Sequence, residues 1–106
     1  MKLSEKEKCL AGLLYDANYD QELLADRIKC KDICHRYNQL LPSQLEERKQ
    51  LLRGLLGKTG KEFLIEQPFY CDYGYNISIG ENFYCNVNCV ILDGAPVTFG
   101  DNVFIA

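Results

Sequence analysis

Along roughly the first sixty residues, apolar side chains recur at three- and four-residue spacing. Ser4 to Glu7 is an S-x-x-E capping box, and Cys9, Leu10, Leu13 and Leu14 follow on one side of a predicted helix. "YDANYD" (residues 15–20) breaks that run with Asn and Asp. A second predicted helix runs from Gln21 to about Leu41, with Leu24, Ile28, Ile33, Tyr37 and Leu41 at helical spacing and Lys and Arg between them. Pro42 stops it. Ser43 to Glu46 reads as another capping box. Leu45, Leu52, Leu55 and Leu56 then mark a short third helix with Gly57 as its C-cap.

After "GKTGK" the pattern changes. Charge thins, and aromatic and β-branched residues take over. Counted in sixes from Ile79, the first position holds Ile79, Cys85 and Ile91, and the fifth holds Phe83, Cys89 and Ala95. The beat slips by two residues near Val97–Thr98 and resumes with Phe99, Val103 and Ile105; counting backwards, Tyr73 and Ile77 take the same two places. A five-residue phrase recurs with it: "YGYNI" at 73–77, "IGENF" at 79–83 and "FGDNV" at 99–103. A hexapeptide rhythm fits a parallel β-helix that turns a corner every six residues, so that a three-sided coil takes about eighteen. The first and fifth positions point inward, Gly occupies a tight place, and Asn suits a turn that tolerates left-handed backbone. Three hairpin turns in a small antiparallel sheet would also use such a phrase.

Length and charge narrow the classes. A chain of 106 residues predicts one domain, or one with a small appendage. With 47% hydrophobic and 25% charged residues it has globular composition. So short a chain buries a small share of its surface, and association would help it. A net charge of −3 argues against a nucleic-acid partner. No apolar run approaches the roughly 20 residues that span a bilayer. "MKLSEKEKCLAGLL" is too charged for a signal peptide, so the expected address is the cytosol, with no membrane partner.

Six cysteines, Cys9, Cys30, Cys34, Cys71, Cys85 and Cys89, include no C-x-x-C pair. Cys30 and Cys34 are one helical turn apart, and Cys85 and Cys89 share the same i, i+4 spacing. Reduced in the cytosol, they read as small buried hydrophobes, with no metal site expected. The single His35 is assigned no chemical role.

In the order "AGLLYDA", "HRYNQL", "EQPFYCDYGYNISIGENFYCNVNCVILD" and "FGDNVFIA", the chain resembles the maltose and galactoside O-acetyltransferases, nodulation-type sugar acetyltransferases among them. The resemblance covers essentially the whole chain and takes in the helical cap as well as the hexads. It implies an α+β fold: a helical cap over residues 1–60, then the first coils of a left-handed parallel β-helix over residues 61–106, in subunits assembled as a homotrimer. It implies acetyl transfer from acetyl-CoA to a sugar hydroxyl, with a histidine as general base. A positioned base contributes roughly 10²–10⁴-fold. The tetrahedral oxyanion wants a fixed donor, whose loss costs about 10²–10³ in rate.

The resemblance assigns roles residue by residue. Asn86 matches the asparagine that stabilises the transition state. Asp93 matches a carboxylate lining the acceptor pocket, with Gly94 where galactoside enzymes carry a second acid. Asp72 matches a pocket position that is aspartate in maltose-type enzymes, Tyr84 lies beside the pocket, and Arg27 matches a sugar-contacting arginine. The cap aspartate of the family falls at Ala17, with Asp16 and Asn18 on either side; Asp16 is the candidate. Each has a plainer reading: a turn asparagine at Asn86, a solvated corner at Asp93, capping groups at Asp72 and Asp16.

In the family the general base follows shortly after the "I-A" at residues 105–106, and the coils that grip coenzyme A come later still. His35 lies in the cap, at the wrong place. The chain is therefore expected to be a truncated, acceptor-side half of an enzyme, inactive alone. The other readings are a non-catalytic sugar-binding or trimer-assembly module, and a small independent α+β domain.

Overall fold

The computed structural model describes residues 2–106. Three helices come first: α1 (Glu5–Leu10), α2 (Gln21–Gln39) and α3 (Leu45–Leu55). Seven short strands follow: β1 (Phe63–Ile65), β2 (Phe69–Cys71), β3 (Ile77–Ser78), β4 (Phe83–Cys85), β5 (Cys89–Ile91), β6 (Val97–Thr98) and β7 (Phe104–Ile105). Among the described residues, no helix is long and apolar enough to cross a membrane.

The first capping box forms as expected. Ser4 Oγ accepts from the Glu7 N–H, and Glu7 Oε1 accepts from the Ser4 N–H. The helix it opens is shorter than its apolar spacing suggests. It ends at Leu10, and Gly12 takes a left-handed φ of 77°, so Leu13 and Leu14 lie past the turn and are exposed. In α2, capped by Asp20, the buried side chains are Leu23, Cys30, Cys34 and Tyr37. Ile28 and Leu41, expected on that face, are exposed. The stripe that faces β2 uses thiols, small enough to let helix and strand approach closely.

Two expected caps are not formed. Gln44, not Ser43, is the N-cap of α3, without a side-chain cap bond; Gln44 Oε1 instead accepts from the Leu41 N–H. Leu56, not Gly57, closes α3. Gly57 is needed for another reason: its N–H donates to the Ile77 carbonyl, and a Cβ there would lie 2.3 Å from the Tyr75 carbonyl oxygen.

The strands all pair in parallel and build the three walls of a prism: β1-β4-β7, β2-β5 and β3-β6. This excludes the hairpin reading. The register is constant. Phe63 sits beside Phe83, Phe69 beside Cys89, Ile77 beside Val97 and Tyr84 beside Phe104, always twenty residues on. The two residues beyond a plain hexad count lie at the corner between β2 and β3 and again between β5 and β6, not at Val97–Thr98. Ala95 therefore falls in a corner and is exposed instead of pointing inward.

The same correction separates the three phrases. "IGENF" and "FGDNV" occupy equivalent places one coil apart, and Asn82 and Asn102 both take left-handed backbone, φ 57° and 59°. "YGYNI" belongs to the wider corner, where Gly74 carries the positive φ of 86°. Gly80 is required by stacking: a Cβ there would meet the Gly100 carbonyl at 2.6 Å. The core runs through both regions, from Cys30, Tyr37 and Leu52 of the cap to Ile65, Phe69, Ile77, Ile79 and Phe83 of the coil.

Candidate acceptor-side site

The wide corner is held by one carboxylate. Asp93 is fully buried. Its Oδ1 accepts from the N–H groups of Asp72 (3.0 Å) and Tyr73 (2.9 Å), and its Oδ2 from those of Gly74 (2.7 Å) and Asn76 (3.3 Å). Asn76 Nδ2 also donates to the Asp93 carbonyl at 2.8 Å. Four backbone donors of one coil thus converge on a side chain of the next. Such satisfaction is what makes a buried carboxylate tolerable. Asp93 is neither a solvated corner residue nor an open pocket wall in this chain: both of its oxygens are already engaged.

The cap covers this corner. Arg27, on α2, donates from Nη1 to Tyr73 Oη at 2.7 Å and from Nη2 to the Ala17 carbonyl at 2.6 Å. Tyr73 in turn gives its N–H to Asp93. Cys9 Sγ donates to the Gly94 carbonyl at 2.7 Å. Asp16, beside Ala17, accepts from the Tyr19 N–H at 3.1 Å and gives its own N–H to Glu5 Oε1 at 2.7 Å, a turn-forming role. Asp16, Arg27, Asp72 and Asp93 therefore gather around one corner. Tyr73, which links Arg27 to Asp93, reads from the sequence only as an inward hexad position; its contact with a helix 46 residues earlier leaves no local signal.

Asp72 reaches the main cleft. This is a cavity of about 560 Å³ between α2 and the strands β2 and β5, lined by Lys31, His35, Asn38, Tyr70 and Leu92 as well as Asp72. The Asp72 carboxylate has no hydrogen-bond partner among the described residues. His35, exposed on α2, stands at the rim of the same cleft.

Tyr84 and Asn86 lie elsewhere. Tyr84 on β4 lines a separate, shallower cavity of about 370 Å³ with Leu64, Asn82 and Phe104. Asn86 follows at an exposed corner. Its N–H donates to the Ile105 carbonyl at 3.0 Å, which ties it to the next coil, and its Oδ1 accepts from the Val87 N–H at 2.8 Å. The turn reading of Asn86 thus holds for Oδ1, while its Nδ2 has no acceptor among the described residues. The expected site residues form two groups within this chain, one at the wide corner and one along β4.

A cluster the sequence did not announce lies behind the cleft. Cys30 and Cys34 of α2 meet Cys71 of β2, with Sγ–Sγ distances of 3.5 Å for Cys30–Cys71 and 4.0 Å for Cys34–Cys71. The i, i+4 spacing of the first two was visible, but the arrival of Cys71 depends on α2 packing on β2. Hydrogen bonds from Cys30 and then Cys71 hold the Cys34 thiol well below the usual thiol range. The same sharing, with burial, pushes Cys30 and Cys71 up.

Comparison with known proteins places these features. The maltose acetyltransferase hexapeptide capping motif matches residues 8–60. The Saccharomyces cerevisiae protein named "Putative acetyltransferase YJL218W" is 56% identical over 94% of this chain and 51% of its own length. The crystal structure of a maltose O-acetyltransferase from Clostridium difficile 630 superposes with a TM-score of 0.93 at 44% identity, over 96% of this chain and 54% of that one. A galactoside acetyltransferase in complex with coenzyme A superposes with a TM-score of 0.90 at 36% identity, over 98% and 52%. The coil is accordingly that of a left-handed parallel β-helix. The chain spans about half the length of the relatives it matches.

Proposed function

This chain belongs to the maltose and galactoside O-acetyltransferases, matching their N-terminal portion, and from that premise we propose that it supplies the acceptor side of acetyl transfer from acetyl-CoA to a sugar hydroxyl, of maltose or glucose type. In this reading residues 1–60 are the cap and residues 61–106 the first coils, in a cytosolic homotrimer.

The observation that carries the reading is the Asn86 amide. Its Oδ1 is pinned by the Val87 N–H and its backbone by Ile105 of the next coil, so Nδ2 is presented to solvent as a fixed, unshared donor. A preorganised donor is what the oxyanion of acyl transfer requires. In the reaction a general base takes the proton of the sugar hydroxyl, and the freed oxygen attacks the thioester carbonyl. The tetrahedral oxyanion accepts from Asn86 Nδ2 and collapses, the carbon–sulfur bond breaks, and the coenzyme leaves as its thiol by taking back the proton held by the base.

Asp72, with its free carboxylate on the cleft, holds acceptor hydroxyls, and Tyr84 borders the acceptor. Arg27 acts through Tyr73 and Asp93 to set the corner that carries Asp72, and Asp16 shapes the cap loop over it. The base and the coenzyme-gripping coils are not among these residues. His35, the one histidine here, stands on the cap, away from β4 and Asn86.

The test uses a chimera in which residues 1–106 are continued by the second half of a full-length relative such as the Clostridium difficile maltose O-acetyltransferase. Asn86→Ala there lowers kcat by about 10²–10³ with acceptor KM little changed. Unchanged kcat rejects the assignment. Residues 1–106 alone give no thiol release from acetyl-CoA with maltose or glucose above buffer.

A further inference from the structure

We propose that Cys30, Cys34 and Cys71 form a binding site for a thiophilic divalent d¹⁰ cation of the Zn²⁺ class, at the seam between α2 and β2, with its fourth coordination position facing the cleft.

All three sulfurs lie within 4.8 Å of one another and all three residues are buried. Tetrahedral coordination at a Zn–S bond of about 2.3 Å places ligand sulfurs roughly 3.8 Å apart. The Cys30–Cys71 and Cys34–Cys71 separations of 3.5 and 4.0 Å bracket that spacing. The fold creates the arrangement without a sequence motif. One helical turn on α2 delivers two thiols, and the strand packed against that face delivers the third. Cys30 Sγ also reaches the Cys71 carbonyl at 3.2 Å, and beyond that contact the three sulfurs converge on one another.

The donor set selects the ion. Thiolates are soft ligands and favour thiophilic metals over Mg²⁺ or Ca²⁺. Three thiolates on a divalent ion leave one net negative charge, whereas a monovalent ion would leave two, and buried charge is costly. Lys31 lines the adjoining cleft and supplies a nearby cation. Access exists as well, since Cys34 and Cys71 form part of the wall of the 560 Å³ cavity. A water from the cavity completes the shell. On binding, each sulfur that still carries a proton gives it to solvent, and all three share a lone pair with the metal, with no change of oxidation state.

The reduced chain is titrated without oxygen with Cd²⁺, read by thiolate-to-metal charge-transfer absorption, and then with Zn²⁺ in competition. One Cd²⁺ binds per chain and Zn²⁺ displaces it. Cys34→Ala and Cys71→Ala each weaken binding by more than about 100-fold, beyond the loss typical of an outer-shell partner. Cys85→Ala and Cys89→Ala leave it unchanged. Circular dichroism confirms that each variant is folded. Two readouts need no variant: cadmium NMR, whose shift reports the number of sulfur ligands, and protection of individual cysteines from alkylation by Zn²⁺. A three-sulfur shift, with protection at Cys30, Cys34 and Cys71, supports the site. Absence of Cd²⁺ binding, a shift for fewer sulfurs, or protection at Cys9, Cys85 or Cys89 instead overturns it.

Discussion

In the cap, α1 buries no residue at all, while each strand from β1 to β4 turns at least one side chain fully into the core. The difference lies in what holds each region. The cap is a set of helices whose backbone bonds close locally, so its attachment to the coil rests on a few side chains. Asn38 shows the device: its amide donates to the Phe69 carbonyl at 3.0 Å and accepts from the Phe69 N–H at 2.8 Å, filling the open edge of β2 as a strand would. Gln67 reaches the other way, donating to the carbonyls of Tyr37 and Leu40 at the end of α2. Arg48 likewise caps the carbonyls of Pro42 and Ile65.

The coil depends on contacts twenty residues apart, and its carboxylates serve backbone amides. Glu81 accepts from the Lys61 N–H, Asp101 from the Glu81 N–H at 2.8 Å, and Asp93 from four at once. A local element tolerates a weak neighbour. A stacked one transmits each fault to the coil beside it.

The sharpest way to break the comparison is Asp93→Ala. It strands four buried or half-buried N–H groups, and with about 1–3 kcal/mol for each unsatisfied donor the loss is about 4 kcal/mol or more. Chemical denaturation should show the coil unfolding well before the wild-type midpoint; a loss below about 1 kcal/mol would mean that water replaces the carboxylate freely. Next comes a matched pair in the cap. Leu52→Ala, at a buried site, costs about 3 kcal/mol, whereas exposed Ile28→Ala changes stability by less than about 0.5 kcal/mol. A cost at Ile28 as large as that at Leu52 on α3 would refute the exposed place of Ile28 on α2.

The smallest effect is pH-dependent. The Ser4 backbone N–H holds the Glu7 carboxyl below its usual range. The folded pKa being the lower one, the capping box contributes above the ordinary carboxylate range and is lost as the pH falls through the folded value. Protection of the Ser4 amide at the N-cap of α1, measured against its intrinsic exchange rate, should therefore fall below that range.

How much of this was readable in advance follows the same divide. The coil could be read because its burial repeats: Ile79, Cys85 and Phe83 point inward as the hexad requires. The two-residue widening was misplaced because Ala95 is a small residue that fits an inward position as well as a corner; only the pairing of Ile77 with Val97 fixes where the extra residues go. In the cap, Ser4–Glu7 was readable because the capping box is complete within four residues, and Ser43–Glu46 misled because Gln44 takes a competing local bond. Of the proposed site, Asn86 and Asp72 are positions that the sequence motif singles out. The inward turn of Asp93 and the meeting of Cys30 and Cys34 with Cys71 are products of stacking and packing, which no short window contains.

The constant lap has a consequence for how such a chain can change. Removing a single residue from a wall would turn every later side chain to the opposite side and set Gly80 off its partner, so walls resist length changes. Gaining or losing a complete circuit keeps every register and alters only the height of the prism. The corner bridged by Asp93 is the exception, because it already holds two surplus residues. Grafted loops are best received there, provided that the carboxylate beneath keeps its amides.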